Sequence, residues 1–304
     1  MKKMLAFVLA LVMAASFAAC GTKATEDVSS EPTAAAAPTE AAAEPTQAPA
    51  EPTEEVAQPT GTTAIDMVGV KLMNEGTLTI GVEIGYPPFE DFAEDGTTPI
   101  GYDIDFAKAL GEKLGLEVNF INTAWDGIFQ GIDVNYDCVI SAVTITDDRK
   151  ESMSFSDPYI NNYQAVVVRP DFAGEITGFL DLDGLAIAVQ KETTSDILMS
   201  DYVATGSINT TISANEKVTT CFTQLDNGEV DAVVVDSTVA DGYLASNPDK
   251  YVKAFQDESE PEQFGVALGK ENTALQTAMN AAIAQLTEEG FFEENIAFWF
   301  GAAQ

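Results

Sequence analysis

The chain has 304 residues, of which 14 are Lys or Arg and 49 are Asp or Glu, so its formal net charge is −35. A surface this acidic repels nucleic-acid phosphates, and we expect no nucleic-acid partner. The sequence contains no histidine, which excludes Ser-His-Asp and Cys-His catalysis and histidine-bearing zinc sites. We therefore predict no metal, no cofactor and no catalytic residue.

The N-terminal residues have the pattern of an export signal. Lys2 and Lys3 precede the uncharged run Met4–Ala19, which ends at Cys20. A basic start, an apolar middle and small residues before a cleavage point are typical of a secretory signal peptide, which we predict over residues 1–19. A membrane-spanning helix is the alternative, but the run is shorter than the roughly 20 residues that a span needs.

The cleavage region carries a second pattern. Ala18-Ala19-Cys20-Gly21 resembles the lipobox of bacterial lipoproteins, with Phe17 at the position that usually holds Leu. The resemblance implies a lipid on Cys20 and attachment to the outer face of the cytoplasmic membrane, facing the periplasm or the exterior. A secreted chain without lipid is the alternative.

Residues 20–65 are predicted to form a disordered tether. Glu-Pro-Thr recurs at 31–33, 44–46 and 51–53 among alanines, and no aromatic residue occurs between Gly21 and Ile65. Such a composition offers too little apolar surface to bury a core. We expect it to separate a folded domain from the membrane, although a leader without a spacing role fits the same composition.

Strands and helices alternate from about Asp66 onward. In the first set, helical spacing of apolar residues begins after Asp103 and Asp105, which suit a first helical turn. The predicted strands of this set are Thr77–Val82, Leu116–Ile121 and Asp137–Ser141, and the predicted helices lie near 103–114, over Trp125–Ile132 and from about Asp147.

A second set follows the apolar segment Tyr163–Arg169 and repeats the alternation. Its predicted segments are Leu185–Val189, Ser195–Tyr202, Ile208–Ile212, Val218–Leu225, Asp231–Val235 and Ser237–Ala245, and the helices Thr273–Leu286 and Phe291–Phe300 lie beyond it. Two such sets predict an α/β protein with two lobes, each built on a mainly parallel sheet. Cys138 and Cys221 fall in different sets, so we expect both to be free and buried.

Two strands resemble each other across the sets. Tyr136–Ala142 and Val230–Asp236 each have a leading acid and a buried apolar strand. Ligands of open α/β sheets bind at the carboxyl ends of the strands, so Ala142 and Asp236 are expected to face one cleft from opposite sides.

Several segments, taken in order, resemble the polar amino-acid family of periplasmic-type solute-binding proteins. The resemblance covers about Gly76 to Gly301. The matching segments are Gly85-Tyr86-Pro87-Pro88-Phe89-Glu90, Gly101-Tyr102-Asp103-Ile104-Asp105, Trp125-Asp126-Gly127, Tyr136-Asp137, Thr144-Ile145-Thr146-Asp147-Asp148-Arg149-Lys150, Phe155-Ser156-Asp157-Pro158-Tyr159, Val233–Asp236 and Phe298-Trp299-Phe300-Gly301.

The resemblance implies the two-lobed periplasmic binding protein-like fold of type II, in which two crossing hinge strands join the lobes. Carried over to this chain, lobe 1 comprises residues 66–163 plus 262–304, and lobe 2 comprises 164–261. The crossings are expected near Tyr163–Val168 and Glu258–Phe264.

The resemblance also implies a pocket for an amino-acid zwitterion. Arg149, one of only two arginines, matches the family's carboxylate clamp, because a guanidinium can bind both carboxylate oxygens. Asp236 matches the partner of the ammonium group, with an N-cap of the following helix as the alternative. Further contacts are implied for Ala142, Thr144, Thr193 and Thr194, although Lys191 and Glu192 stand where the family commonly has small residues, including Gly.

The ligand side chain is expected to lie among four residues. Tyr86 and Trp125 match two aromatic residues that sandwich the side chain, with core packing as the alternative. Glu83 matches an acidic position at its far end, and Gln190 lines the same region. These matches favour a cationic amino acid such as arginine or lysine, followed by cystine or glutamine.

The function implied is capture of a free L-amino acid and its delivery to the permease of an ABC importer by a monomeric, membrane-anchored binding protein that is not an enzyme. Two alternatives stay open: a ligand-sensing module for a membrane receptor, and a dehydratase-type enzyme on the same fold.

Overall fold

The computed structural model describes residues 64–301, so the predicted signal peptide, Cys20 and nearly all of the predicted tether lie outside the described residues. The strands are β1 (Thr77–Val82), β2 (Asp91–Phe92), β3 (Pro99–Ile100), β4 (Glu117–Asn122), β5 (Cys138–Val139), β6 (Ser154–Phe155), β7 (Ile160–Asn162), β8 (Gln164–Val168), β9 (Ala186–Gln190), β10 (Thr211–Asn215), β11 (Ala232–Asp236), β12 (Val252–Gln256), β13 (Glu262–Phe264) and β14 (Ala267–Leu268). The α-helices are α1 (Tyr102–Leu114), α2 (Asp147–Ser152), α3 (Thr194–Ala204), α4 (Val218–Asn227), α5 (Ser237–Ser246), α6 (Thr273–Glu288) and α7 (Phe291–Trp299).

Two five-stranded sheets organise these elements. The first has the order β4-β1-β5-β14-β6 and the second the order β10-β9-β11-β8-β12. Helices α1, α6 and α7 pack together beside the first sheet, and α3, α4 and α5 pack on the second. We call each sheet with its helices a lobe; the residue limits expected for the lobes stay a prediction.

Both sheets are mixed: four of the five strands in each run in one direction, as expected of mainly parallel sheets, and one strand runs against them. In the first sheet β1 is parallel to β4 and β5, whereas β14 is antiparallel to β5 and β6. In the second, β9 is parallel to β10 and β11, whereas β8 is antiparallel to β11 and β12. Parallel neighbours require a crossover connection. Strands β8 and β14 instead follow the short crossing strands, and they enter their sheets in the opposite direction.

The crossing strands are β7 and β13, which pair antiparallel with Asn162 opposite Glu262. Strand β7 lies between β6 of the first sheet and β8 of the second, and β13 lies between β12 and β14. The first crossing thus precedes the expected segment Tyr163–Val168, most of which forms β8. The chain returns to the first lobe through β13 and then forms α6 and α7.

Hydrophobic periodicity predicted most of the helices well, and one of them wrongly. Residues 125–132 contain only the short 3-10 helix Ile128–Gly131. Gly127 adopts a left-handed conformation with φ 87° and ends the preceding turn, so Trp125 lies outside any helix. Cys138 and Cys221 are free and buried, as expected. None of the helices between residues 64 and 301 combines the length and the apolar composition that crossing a bilayer requires.

Candidate functional site

Strand ends place the first group of side chains. Glu83 directly follows β1, and Gln190 and Asp236 are the last residues of β9 and β11. Ala142 lies shortly after β5. Because the carboxyl ends of parallel strands open on one edge of each sheet, these residues face the space between the lobes.

Helix beginnings place the second group. Arg149 lies in the first turn of α2, whose N-cap Thr146 accepts a hydrogen bond from the Arg149 backbone N–H. Thr193 is the N-cap of α3, and Thr194 is its first residue. Side-chain caps hold these helix ends in place, which in turn positions their first residues toward the cleft.

All ten residues predicted from the sequence line one cavity between the lobes. The cavity encloses about 300 Å³ of space between protein atoms, part of it open to solvent, and Ser141 also lines it. Its predicted residues are Glu83, Tyr86, Trp125, Ala142, Thr144, Arg149, Gln190, Thr193, Thr194 and Asp236. The structure thus brings the predicted residues together, and their contacts with a ligand stay a prediction.

The Arg149 guanidinium is half-buried and held on several sides. Its Nη1 donates to the Thr144 carbonyl oxygen at 2.8 Å, and its central carbon lies 5.5 Å from the centroid of the Trp125 ring. Burial lowers the pKa of Arg149, while Glu262 and Asp236 oppose that shift. The side chain remains charged, because an arginine keeps its proton in proteins, and the hydrogen bond to Thr144 holds it at the cavity.

Asp236 sits inside a set of donors. Its Oδ1 accepts from Asn162 Nδ2 at 2.6 Å and from Gln164 Nε2 at 3.0 Å, and its Oδ2 accepts from the Tyr86 hydroxyl. Asp236 occupies the N-cap position of α5, as the alternative proposed, but its side chain makes no capping bond to that helix. Burial, followed by the charge of Glu262, raises the pKa of Asp236 to about 7.

Glu83 and Gln190 meet at the other end of the cavity. Gln190 Nε2 donates to Glu83 Oε2 at 2.7 Å, across the boundary between the lobes. Glu83 is only 3% exposed, and burial raises its pKa to about 7, with Gln190 and Lys217 opposing. Gln190 Oε1 is buried and accepts no hydrogen bond from the described residues. This end therefore presents two acceptors, a carboxylate and an amide oxygen.

Tyr86 and Trp125 line the cavity with their polar atoms already engaged. Burial raises the pKa of the Tyr86 hydroxyl well above its usual value, so this group keeps its proton and donates to Asp236. Trp125 Nε1 donates to the Glu192 carbonyl oxygen at 3.2 Å. The rings remain available for stacking, and the sandwich stays a prediction.

The loop between β9 and α3 accommodates Lys191 and Glu192, where the family commonly has small residues. Glu192 has φ 61°, a left-handed conformation that favours glycine. Its backbone N–H donates to Asp196 Oδ2 at 2.8 Å, and Lys191 Nζ lies 3.1 Å from Asp126 Oδ2 of the first lobe. The loop keeps its course with Glu in place of Gly, and Thr193 and Thr194 still reach the cavity.

A buried acidic pair supports the cavity floor. Ser141 donates to Glu90 Oε1, and its Oγ accepts from the Glu83 backbone N–H at 3.1 Å. Asp103 Oδ2 accepts from the Ala142 backbone N–H at 2.7 Å, where Ala142 has φ 47°. Asp103 lies in the first turn of α1, as expected. Its carboxylate also holds the segment that follows β5.

Four residues near the cavity were absent from the sequence prediction: Ser141, Asn162, Gln164 and Glu262. Ser141 lies beside the predicted Ala142. Asn162 and Gln164 are buried amides on the first crossing and the adjoining strand, where polar residues two apart at the start of an apolar run were an available signal. For Glu262 no local pattern exists, since its contacts come from residues distant in the chain.

Comparison with known families gives one match over most of the described chain. Residues 78–302 match the model of the bacterial extracellular solute-binding proteins, family 3.

Two curated proteins of Escherichia coli strain K12 are similar over most of their length. The ABC transporter arginine-binding protein 1 is 32% identical over 231 residues, covering 73% of this chain and 90% of that protein. An L-cystine-binding protein is 33% identical over 234 residues, covering 76% and 85%.

Two solved structures share the fold. The arginine-bound form of truncated ArgBP from T. maritima is 36% identical with a TM-score of 0.64, covering 69% of this chain and 96% of that one. An ancestral amino-acid-binding protein, described as a precursor of cyclohexadienyl dehydratase, is 33% identical with a TM-score of 0.67, covering 74% and 96%.

Proposed function

The chain belongs to the bacterial extracellular solute-binding proteins of family 3, and we propose that it captures a free L-amino acid between its lobes and delivers it to an ABC importer. The observation that carries this proposal is the pairing of Arg149 and Asp236 across one cavity. A zwitterion needs a donor fork for its carboxylate and an acceptor for its ammonium. Arg149 supplies the first from the first lobe, and Asp236 supplies the second from the second lobe.

We propose a cationic side chain for the amino acid, with arginine ahead of lysine. Glu83 Oε2 and the unpaired Gln190 Oε1 form an acceptor-lined end of the cavity, which suits a donor-rich guanidinium. The curated relative named as an arginine-binding protein agrees with this choice. Cystine and glutamine are the next candidates, and the relative named as an L-cystine-binding protein keeps cystine among them.

Cys20 is proposed to carry a lipid that attaches the protein to the outer face of the cytoplasmic membrane. The support comes from the sequence pattern around this residue. A monomer is proposed as the form that meets the permease. Growth with labelled palmitate and a Cys20→Ala variant tests the attachment: the label and the membrane fraction should both be lost in the variant.

The same pocket would serve a sensory module of a membrane receptor. Permease and ATPase genes beside the gene of this chain would favour import, and a neighbouring receptor gene would favour sensing. A dehydratase is the less supported alternative, although one solved structure of the same fold is described as a precursor of such an enzyme. The curated relatives are named as binding proteins.

A thermal-shift panel of the common L-amino acids, ornithine and cystine tests the proposal on the purified protein. L-Arginine should raise the melting temperature, because a ligand that binds only the folded state stabilises it. Stabilisation by none of these compounds would overturn amino-acid capture. Stabilisation by acidic amino acids alone would overturn the role given to Glu83.

A further inference from the structure

Glu262 occupies a position that connects both lobes with the crossing strands. It begins β13, and its carboxylate accepts from Thr144 Oγ1 of the first lobe at 3.2 Å and from Thr194 Oγ1 of the second at 3.4 Å. Both threonines line the cavity. Glu262 therefore lies directly behind the cavity wall, at the point where the two lobes meet.

Glu262 shares its remaining donors with Asp236. Asn162 Nδ2 donates to Asp236 Oδ1 at 2.6 Å and to Glu262 Oε2 at 3.1 Å. Gln164 Nε2 likewise lies 3.0 Å from Asp236 Oδ1 and 3.2 Å from each Glu262 oxygen. Since single amide groups reach both carboxylates, the two are close neighbours, and the charge of the partly buried Glu262 acts on the buried Asp236.

The charged and titratable groups that face this pair are a tyrosine and an arginine of the first lobe. The Tyr86 hydroxyl of the turn after β1 donates to Asp236, and Arg149 of α2 is near both carboxylates. The single positive charge of Arg149 can offset only one of the two carboxylates. A second sign of a ligand is the buried Gln190 Oε1 in the same cavity, which the described residues leave without a donor.

We propose that Glu262 is a further ligand-site residue, whose charge keeps a proton on the neighbouring Asp236 until the ammonium of an amino acid binds and that proton is released. The proton passes to solvent and the ammonium takes its place, with no covalent change in the ligand. The raised pKa of Asp236, about 7 through burial and then through Glu262, agrees with this exchange. The inference rests on the proposed function and adds the recognition of the ammonium to it.

Titration calorimetry with L-arginine measures the exchange directly on the wild-type protein. Binding at pH 7 in two buffers of different ionisation enthalpy gives the number of protons released, after correction for the titration of free arginine. Because protons compete with the ammonium, the affinity should fall as the pH drops through 7 and be about tenfold lower at pH 6 than at pH 8. Binding without proton release would overturn the inference and leave the proposed function standing.

Glu262→Gln assigns the released proton, since Glu83 also faces the cavity and also titrates near pH 7. The variant should release fewer protons at pH 7, shift the midpoint of the affinity profile to lower pH and bind arginine several-fold more weakly at pH 8. Glu260→Gln removes a neighbouring exposed carboxylate and should match wild type.

A proton count in Glu262→Gln equal to that of wild type would place the proton on another group and overturn the inference. If no amino acid binds the wild-type protein, the proposed function fails, and this inference fails with it. The wild-type count needs no variant, so the test survives any loss of folding in Glu262→Gln.

Discussion

At the scale of single residues, the shape of the Arg149 head group matters as well as its charge. Arg149→Lys keeps the charge but loses the planar fork that can hold two carboxylate oxygens. We expect arginine affinity to fall by roughly thirtyfold, because the lysine ammonium loses one hydrogen bond to the charged ligand carboxylate. Isothermal titration calorimetry with L-arginine measures this loss of affinity.

Arg169→Lys is the matched control for that substitution. Arg169 Nη1 binds the carbonyl oxygens of Leu225 and Val230 at 2.8 Å each, away from the cavity. The control should lower the melting temperature and leave affinity unchanged. Wild-type affinity in Arg149→Lys would contradict the clamp.

We expect Glu83 to increase the affinity for arginine and to lower the free energy of unfolding of the unliganded protein. Its pKa of about 7 exceeds the ordinary value of 4.5, so the folded state binds more protons than the unfolded state between these values. The free energy of unfolding therefore falls as the pH rises through this range. Glu83→Gln should raise that free energy at pH 8 by on the order of 1–3 kcal/mol and reduce arginine affinity.

Urea unfolding at pH 5 and pH 8, without ligand, measures the effect of Glu83→Gln. Its gain in stability should be confined to the higher pH, where the wild-type carboxyl must ionise in a buried site. Glu112→Gln, on the exposed face of α1, should follow wild type at both values. An equal effect of Glu83→Gln at both pH values would mean that packing, not ionisation, is responsible.

At the scale of elements, the loop between β9 and α3 is strained at Glu192. Its φ of 61° costs a non-glycine residue roughly 1–2 kcal/mol. The loop's links to Trp125 and Asp196 use only the Glu192 backbone. Glu192→Gly should therefore keep those links and arginine binding, and raise the melting temperature slightly.

The control for the loop is Glu258→Gly, which removes an exposed Glu from a turn without a positive φ. It should lower stability by about 0.5–1 kcal/mol through the greater freedom of the unfolded chain. Equal melting temperatures for Glu192→Gly and Glu258→Gly would contradict the strain at Glu192.

The elements also show what local patterns can predict. Local patterns located α4 and β1 closely, because α4 buries one face at helical spacing and β1 is a short run buried on both faces. The expected helix over Trp125–Ile132 failed because Gly127 takes a left-handed conformation that spacing does not report. Glu262 was missed for a different reason: its partners Thr144 and Gln164 are remote in sequence, and only the crossing strands bring them together. Strand ends alone placed Ala142 and Asp236 at one cleft, and the other cavity residues came from the family resemblance, which carries such long-range information.

At the scale of the whole molecule, hydrogen bonds between described residues link the lobes along the cleft outside the crossing strands. They join Gln190 to Glu83, Glu192 to Trp125, Lys191 to Asp126, Lys217 to the Ile84 carbonyl oxygen and Tyr86 to Asp236. The first closes the far end of the cavity, and the others lie around it. Contacts between the lobes contribute to the free energy of lobe closure. Ligand affinity therefore also depends on residues that make these contacts without touching the ligand.

Lys191 offers the cleanest test of that dependence. Its ion pair with Asp126 spans the lobes at 3.1 Å, with both side chains partly exposed. An exposed pair contributes little, so Lys191→Ala should weaken arginine binding by only about two- to fivefold. The loss should shrink at high salt, because salt screens the pair in the wild-type protein.

Lys150→Ala is the control for Lys191→Ala, since the Lys150–Asp147 pair has the same N–O distance of 3.1 Å but lies within α2. It should change neither affinity nor the radius of gyration. X-ray scattering of unliganded Lys191→Ala should give a larger radius than wild type, and saturating arginine should reduce both to one value. An affinity loss without any change in the unliganded radius would place Lys191 at the ligand itself and not in the closing of the lobes.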